Sequence, residues 1–363
     1  MNLKKIGLFF LALVIIFTLG ACQAQQPQGG QGASNNNQPA KGNGTLINGS
    51  GSTFVYPLID KARAEYEQKA GIRVNYKGTG SGAGIQQLIA KTVEFGASDA
   101  PMKEDEIQKA GGNVLHIPVT LGGVAISYNL EGVKDLKLTA DIIAEIYTGK
   151  ITKWNDKKIA DLNPGVQLPD LLIAPVYRSE GSGTTFIFTS YLNAAAPSIW
   201  TKEKVDKNID MAANKNAIGA KGNAGVAAQI QNTKGAIGYV ELAYVIQNNM
   251  TAASIQNKDG QFVKPTLASV TAAAVGAAQS FVKDMKSSLV NQPGKDSYPI
   301  VGTTWALVYE QSPLDATKTK QVVDFLKYLV TDGQQYAEAL GYAPLPKEIQ
   351  ELDLKELDKV KVK

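Results

Sequence analysis

Apolar and polar residues follow one another along most of the chain in two patterns, one typical of helices and the other typical of strands. Residues 54–70 carry apolar side chains at helical spacing, and Gly71 follows them as a stop signal. Residues 72–76 then alternate as a strand. Because strands and helices of this kind follow one another repeatedly, the sequence predicts an α/β fold with mostly parallel sheets.

The same two patterns predict the further elements of the chain. Strands are predicted at residues 46–47, 114–120, 124–128, 172–177 and 298–309, the last of them broken at Gly302. Helices are predicted at residues 85–92, 142–147 and 321–328. Residues 341–346 are rich in Gly and Pro and are predicted to run extended.

Residues 1–21 have the pattern of a secretory signal peptide, with two lysines, a short apolar run and small residues at the end. The apolar run from Ile6 to Leu19 is shorter than the roughly 20 residues that a membrane-spanning helix needs. Cys22 follows Leu19, Gly20 and Ala21, and this order resembles the bacterial lipobox, whose cysteine becomes the lipidated, palmitate-carrying first residue. Cys22 is the only cysteine of the chain, so an intramolecular disulfide is excluded.

Residues 22–44 consist mainly of Gln, Gly, Asn, Pro, Ala and Ser, which cannot bury enough surface to fold. We therefore expect a flexible tether between a lipid anchor and a domain that lies outside the cytoplasmic membrane. Loss of Lys4 and Lys5 with the signal peptide lowers the formal net charge from +4 to +2. This near balance, without a basic run between aromatic residues, argues against nucleic-acid binding.

Three short clusters of Gly, Ser and Thr each precede a helix-like segment, at residues 49–53, 78–82 and 181–185. The first turn of a helix leaves backbone N–H groups unpaired, and the helix dipole makes that end electropositive. Glycine lets the backbone approach a ligand, and Ser or Thr hydroxyls add further donors. The three clusters therefore predict three helix N-termini around one small oxyanion.

Arg178 follows a predicted strand and precedes the third cluster. There its planar guanidinium could grip two oxygens of a tetrahedral anion, although a surface arginine at a strand end is the alternative. Glu180 could orient the guanidinium through a salt bridge, or it could be a solvated loop carboxylate. The residues leave both alternatives open.

Asp99 closes an apolar segment shortly before Pro101, a position where Asp commonly starts a turn. If Asp99 instead faces the anion, its carboxylate repels a fully deprotonated ligand and accepts a hydrogen bond from a ligand that keeps a proton. Phosphate keeps a proton near neutral pH and sulfate does not. Asp99 would then select phosphate over sulfate.

His116 is the only histidine of the chain, and it fits a core position better than a catalytic one. With one His and one lipidated Cys, the chain offers no His/Cys zinc set, no Cys–His pair and little scope for a Ser–His–Asp triad. The second glycine cluster fits the dinucleotide-binding pattern only loosely. We therefore expect no enzymatic activity, no metal and no cofactor.

Six segments together carry a family resemblance: GSGSTFVYP (49–57), NYKGTGSG (75–82), FGASDAP (95–101), WND (154–156), RSEGSGTTF (178–186) and GAIGYVE (235–241). In this order they resemble the phosphate-binding protein of the bacterial high-affinity phosphate ABC transporter. The resemblance covers nearly all of the chain after the tether. It implies a two-lobed periplasmic-binding-protein-like fold of type II, in which crossing strands join two α/β lobes and phosphate lies between them. Lobe I would comprise residues 45–119 and 299–363, and lobe II residues 120–298.

Position by position, the resemblance implies a phosphate site to which both lobes contribute. Its implied ligands are Thr53, Phe54, Ser81 and Asp99 from lobe I, and Arg178, Ser182, Gly183 and Thr184 from lobe II. Asp99 would accept a hydrogen bond from the proton that phosphate keeps. Family members can carry Asp where this chain has Glu180, whose longer arm affects how Arg178 is oriented.

The sequence thus predicts a lipid-anchored, monomeric solute-binding protein that captures phosphate outside the cytoplasmic membrane. The protein would pass phosphate to an ABC permease that an ATPase drives. Two alternatives remain open at this point. One is an extracellular phosphatase or phosphoryl-transfer enzyme, and the other is a sensory phosphate-binding module.

Overall fold

The computed structural model describes residues 46–212 and 214–362 of the 363-residue chain. Its strands are β1 (Leu46–Gly51), β2 (Arg73–Gly78), β3 (Phe95–Ser98), β4 (Val114–Tyr128), β5 (Lys137–Leu138), β6 (Ala174–Arg178), β7 (Ile218–Ala220), β8 (Ala236–Glu241), β9 (Ser254–Gln256), β10 (Phe262–Val263), β11 (Val301–Tyr309), β12 (Gln311–Ser312) and β13 (Lys361–Val362). Its helices are α1 (Tyr56–Ala70), α2 (Ser81–Ile89), α3 (Glu104–Ala110), α4 (Ala140–Tyr147), α5 (Lys157–Leu162), α6 (Gly183–Ala195), α7 (Gly222–Asn232), α8 (Leu242–Gln247), α9 (Leu267–Lys283), α10 (Ala316–Val330) and α11 (Lys347–Leu357). Short 3-10 helices cover Lys202–Lys204, Asp332–Tyr336 and Glu338–Leu340.

The predicted signal peptide, the predicted lipidation site Cys22 and the predicted tether lie outside the described residues. Within the residues that are described, none of the helices combines the length and the apolar character needed to cross a membrane.

Eight strands of the described chain form one mixed sheet in the order β2-β1-β3-β11-β4-β8-β6-β7. At one end β1 pairs in parallel with β2 and β3, and at the other end β6 pairs in parallel with β7 and β8. The antiparallel strands β11 and β4 lie between these two groups. The predicted α/β class is therefore confirmed, and the parallel pairs of this sheet belong to its two outer groups.

Strand β4 joins the two groups, because residues 114–123 pair with β11 and residues 124–128 pair with β8. The prediction of two separate strands, at 114–120 and 124–128, is wrong. The chain stays extended through two glycines whose places exclude a side chain: a Cβ on Gly122 would lie 2.6 Å from the Phe54 ring, and one on Gly123 would lie 2.7 Å from Val270. Close packing, not a turn, explains these glycines.

The predicted break of the last long strand at Gly302 is also wrong. Gly302 lies inside β11 and pairs with Gly122 of β4. A Cβ on Gly302 would lie 2.3 Å from Cδ1 of Ile187 in α6. The glycine therefore allows α6 to pack closely on the strand, and it does not end the strand.

The predicted helices are present with shifted ends. Helix α1 ends at Gly71, which has the left-handed φ of 69° that glycine favours after a helix. Helix α10 extends the predicted segment 321–328 in both directions, and its apolar stripe is buried. The described residues form one compact unit.

Candidate anion-binding site

Each glycine cluster lies at the start of a helix. The first cluster precedes α1, the second leads into Ser81 at the start of α2, and the third leads into Gly183 at the start of α6. Ser182 caps α6, since its hydroxyl accepts a hydrogen bond from the Thr185 N–H at 3.1 Å. All three helices therefore begin where the sequence predicts a site.

Direct hydrogen bonds bring the three clusters together. The N–H groups of Thr79 and Gly80 donate to the Gly51 carbonyl at 2.9 and 2.8 Å, which joins the first and second clusters. The Gly82 N–H donates to the Gly181 carbonyl at 2.9 Å, which joins the second and third. The N-termini of α1, α2 and α6 thus lie side by side, although these clusters are far apart in sequence.

The start of α6 approaches Asp99 so closely that only glycine fits between them. A Cβ on Gly183 would lie 2.5 Å from the Cβ of Asp99 and 2.6 Å from its Oδ2. Gly183 therefore allows the electropositive end of α6 to face the carboxylate.

Asp99 is buried, with 2% of its surface exposed, and its two oxygens have different surroundings. Oδ1 accepts hydrogen bonds from the Ser52 hydroxyl at 2.5 Å and from the Thr304 hydroxyl at 2.6 Å. Oδ2 has a long 3.4 Å contact with the Ser81 hydroxyl, and it points toward Gly183. Oδ2 is therefore the oxygen that remains available to a ligand.

Burial raises the pKa of Asp99 from 3.8 to about 6, because desolvation disfavours the charged carboxylate. The hydrogen bonds from Ser52 and Thr304 and the charge of Arg178 act in the opposite direction and limit the rise. Asp99 is therefore mainly ionised at neutral pH and accepts hydrogen bonds there. It becomes protonated, and able to donate, below about pH 6.

Arg178 lies at the end of β6 and is buried, with 3% exposed. Its Nε donates to Glu180 Oε1 at 3.0 Å, its Nη2 contacts the same oxygen, and its Nη1 donates to the Thr184 hydroxyl at 3.3 Å. Glu180 Oε1 also accepts from the Gly222 N–H at 2.9 Å. The Glu180 side chain, 18% exposed, forms a salt bridge with Arg178, and its role in orienting the guanidinium stays a prediction.

A fourth helix, α7, also begins beside the glycine clusters, and it was not predicted from the sequence. Its second residue, Asn223, is fully buried and donates through Nδ2 to the hydroxyls of Thr53 and Thr184, at 3.0 and 3.1 Å. A Gly-Asn pair at the start of a helix-like run was the available signal, weaker than the three clusters because it lacks Ser and Thr.

Two further hydroxyl groups of the site were also missed. Ser52 belongs to the first cluster but was not assigned a role, although it donates to Asp99. Thr304 lies in β11, where nothing in the local sequence marks it out. Its contact with Asp99 depends on the pairing of β11 with β3, 205 residues away in sequence.

The backbone groups of Phe54 already have partners within the chain. Its N–H donates to the Ser52 hydroxyl at 3.0 Å, and its carbonyl accepts from the Tyr342 hydroxyl at 2.5 Å. Phe54 itself is fully buried at the start of α1. The implied role of its N–H as an anion ligand stays a prediction, in which that donor is shared with Ser52.

Glu241 is a second buried carboxyl group behind the site, at the end of β8. Burial raises the pKa of Glu241 well above its usual range, and the nearby charge of Asp99 adds to the rise. Its Oε2 accepts a hydrogen bond from the Ala243 N–H at 2.8 Å and so caps α8. Burial therefore favours the neutral form of the Glu241 carboxyl group.

His116 is a core residue, as the sequence predicts. Its Nε2 accepts from the Met102 N–H at 3.1 Å, and its Nδ1 lies 3.1 Å from the Val114 carbonyl, to which it donates. Burial and the charge of Lys286 lower the pKa of His116 to about 4, so the ring is neutral. Among residues 46–212 and 214–362, no group of His, Cys, Asp and Glu side chains has the arrangement of a metal site.

The comparisons with known proteins agree on one family. The model of the PBP superfamily domain matches residues 24–332. The phosphate-binding protein PstS of Xylella fastidiosa strain Temecula1 is 39% identical over 354 residues, which are 95% of this chain and 96% of that protein. The protein of the same name from Pasteurella multocida is 42% identical over 307 residues, with 84% and 87% covered.

The chain belongs to the PstS family of the PBP superfamily.

Solved structures support the fold. A high-affinity periplasmic phosphate-binding protein, PfluDING, superimposes with a TM-score of 0.69 at 24% identity, covering 85% of this chain and 92% of that one. The phosphate-binding protein from Stenotrophomonas maltophilia gives a TM-score of 0.65 at 20% identity, with 86% and 93% covered. The predicted two-lobed periplasmic-binding-protein-like fold is therefore confirmed.

The raised pKa of Asp99 predicts a pH-dependent cost in stability. The folded protein holds the Asp99 proton more tightly than the unfolded chain does, so this proton stabilises the folded state. Its contribution to the free energy of unfolding is complete below about pH 4. The contribution is lost as the pH rises through about 6. A shift of this size corresponds to about 3 kcal/mol. We expect Asp99→Asn to be more stable than wild type at pH 8, by a margin that disappears near pH 4.

Urea unfolding without added anions at pH 4 and pH 8 measures both variants. Since the two proteins share all other titrating groups, the difference between their free energies of unfolding reports the titration of Asp99. A difference that stays constant between the two pH values would contradict the assignment.

Proposed function

We propose that this member of the PstS family binds inorganic phosphate at the junction of its helix N-termini and delivers it to an ABC permease for import. One observation carries the proposal. The site combines several donors with one buried carboxylate oxygen, Oδ2 of Asp99, whose hydrogen bond within the chain is a single long contact of 3.4 Å with Ser81. This pattern fits a tetrahedral anion that keeps one proton.

The proposed ligands are those that the family resemblance implies. Backbone N–H groups and hydroxyls come from Thr53, Phe54, Ser81, Ser182, Gly183 and Thr184, and the guanidinium comes from Arg178. Preorganised donors of this kind need no reorganisation when the anion enters, and they act strongly where water is excluded. Glu180 holds the Arg178 guanidinium in orientation, which its contacts with Nε and Nη2 support.

We propose that residues 45–119 and 299–363 form lobe I and residues 120–298 form lobe II. The two outer groups of parallel strands, joined through β4 and β11, support this division. Thr53 and Asp99 then belong to lobe I, whereas Arg178, Gly183 and Asn223 belong to lobe II. Binding closes the two lobes around the anion by a hinge motion, which is the general behaviour of periplasmic binding proteins.

We further propose that the protein works as a monomer anchored by lipid at Cys22 on the extracytoplasmic side of the cell membrane. The signal pattern, the lipobox-like order before Cys22 and the polar tether support this location. In cells, Cys22→Ser is expected to abolish incorporation of labelled palmitate and to release the protein from the membrane fraction. A variant that stays lipidated would contradict the anchor.

Calorimetric titration with phosphate and sulfate tests the function directly. At pH 8 the wild type is expected to bind one phosphate and to bind sulfate at least 100-fold more weakly, because sulfate brings no proton to the Asp99 carboxylate. An unpaired charge in a buried site costs several kcal/mol, which is enough for this ratio. No phosphate binding would overturn the proposal.

The same titration on Asp99→Asn separates selectivity from affinity. The Asn amide can donate to sulfate, so the ratio of phosphate to sulfate affinity is expected to fall at least tenfold. In the wild type, sulfate binding is expected to appear as the pH drops below about 6 and Asp99 becomes protonated. A ratio that is the same in both variants would remove Asp99 from the selection.

Gly183→Ala tests the close approach of α6 to Asp99. The new methyl group would lie 2.5–2.6 Å from Asp99 atoms, so the helix start or the carboxylate must move, and phosphate affinity is expected to fall at least tenfold. Gly225→Ala in α7 is the matched control, because its Cβ would have no neighbour closer than 3.8 Å. Equal affinities of the two variants would contradict the steric argument.

A further inference from the structure

Asn223 connects the two threonines of the proposed site. It is fully buried at the start of α7. Its backbone N–H and its side-chain Nδ2 donate to the Thr53 hydroxyl oxygen at 3.1 and 3.0 Å, and Nδ2 also donates to the Thr184 hydroxyl oxygen at 3.1 Å. One residue thus contacts two hydroxyls that belong to different glycine clusters.

The orientation of the Asn223 amide is fixed by a third partner. The backbone N–H of Glu241 lies 2.9 Å from Oδ1 of Asn223, and a backbone N–H can only donate. The atom facing Glu241 must therefore be the carbonyl oxygen, which places the NH2 group toward Thr53 and Thr184. The reverse orientation would set two donors against each other.

The Thr53 hydroxyl can act toward a further partner only as a hydrogen-bond donor. A hydroxyl has two acceptor lone pairs and one proton. Both lone pairs of Thr53 Oγ1 receive hydrogen bonds from Asn223, one from its N–H and one from its Nδ2. The Thr53 proton therefore points away from Asn223, toward whatever else lies beside this hydroxyl.

The Thr184 hydroxyl is likewise restricted to donating, because two donors occupy its lone pairs. Its oxygen accepts from Nδ2 of Asn223 at 3.1 Å and from Nη1 of Arg178 at 3.3 Å. An amide NH2 group and a guanidinium can only donate, so both lone pairs of this hydroxyl are occupied. Thr184, like Thr53, can then only donate its own proton.

We propose that Asn223 is a positioning residue that makes the hydroxyls of Thr53 and Thr184 obligatory donors to the bound anion. The proposal rests on the proposed phosphate site and adds to it the residue that fixes two of its donors. A free hydroxyl could rotate and accept a hydrogen bond from a protonated ligand, whereas these two cannot. Of Thr53, Thr184 and Asp99, only Asp99 can then accept a hydrogen bond from the ligand, so Asn223 contributes to selection without touching the anion.

This role of Asn223 predicts an unusual order of phosphate affinities among its variants. Asn223→Ala frees a lone pair on each hydroxyl, and phosphate affinity is expected to fall at least tenfold. Asn223→Asp keeps the shape but replaces the NH2 group with an oxygen that accepts from both hydroxyls and turns their protons inward. It is expected to bind more weakly than Asn223→Ala. A purely structural role predicts the opposite order, because Asp is the closer isostere.

A double-mutant cycle distinguishes orientation of hydroxyls from every other effect of Asn223, including the charge of Asp. Asn223→Ala and Asn223→Asp are each combined with Thr53→Val and, separately, with Thr184→Val, and phosphate binding is measured by calorimetry. If Asn223 acts through these hydroxyls, its effect is at least threefold smaller in each Val background than in the wild type. Equal effects in all three backgrounds overturn the proposal, as does an unchanged affinity of Asn223→Ala.

Asn163 provides the matched control for burial. It is 3% exposed and hydrogen-bonds the backbone of Lys137 and Ile159 through its side chain, without contact to the site. Asn163→Ala is expected to lower the melting temperature but to leave phosphate affinity unchanged. Phosphate binding that is absent even in the wild type overturns the proposed function and this role together. If the wild type binds phosphate but the effects of the Asn223 and threonine substitutions on affinity are additive, only the role of Asn223 is overturned.

Discussion

The interaction on which the rest of the structure depends is the burial of one carboxylate, Asp99, among the N-termini of helices. Desolvation raises the pKa of this group to about 6, and two short hydrogen bonds from Ser52 and Thr304 hold one of its oxygens. The other oxygen faces Gly183 at the start of α6. A buried charge costs free energy unless it is compensated, so donors from several elements must converge here.

The fold supplies that convergence through β4 and β11. These two strands connect the parallel groups at either end of the sheet, and glycines in both remove side chains where Phe54 and Ile187 pack against them. Helices α2, α6 and α7, which follow the parallel strands β2, β6 and β7, then begin side by side at the site. Glycine at position 183 completes the arrangement, since any side chain there would collide with Asp99. The same residue type thus serves strand packing and site geometry for steric reasons.

The glycine clusters, Arg178 and Asp99 could be recognised from the sequence because each is a local pattern beside a strand or a helix start. The partners Thr304 and Asn223 could not, since their contacts with Asp99 and Thr53 span 205 and 170 residues and depend on strand pairing. Gly122, Gly123 and Gly302 resemble strand breakers until their neighbours are known. Local sequence therefore marks the donors and Glu180 beside Arg178, whereas the distant partners Thr304 and Asn223 emerge only from the tertiary structure.

The measurement that tests this account most directly is a high-resolution structure of the protein crystallised with phosphate near pH 8. We predict that one phosphate oxygen lies within hydrogen-bonding distance of Asp99 Oδ2, about 2.5–2.7 Å, as expected for an O–H donor and a carboxylate. The other three oxygens should face donors, including the hydroxyls of Thr53 and Thr184. A phosphate bound elsewhere, or bound with Asp99 turned away from it, would contradict the account.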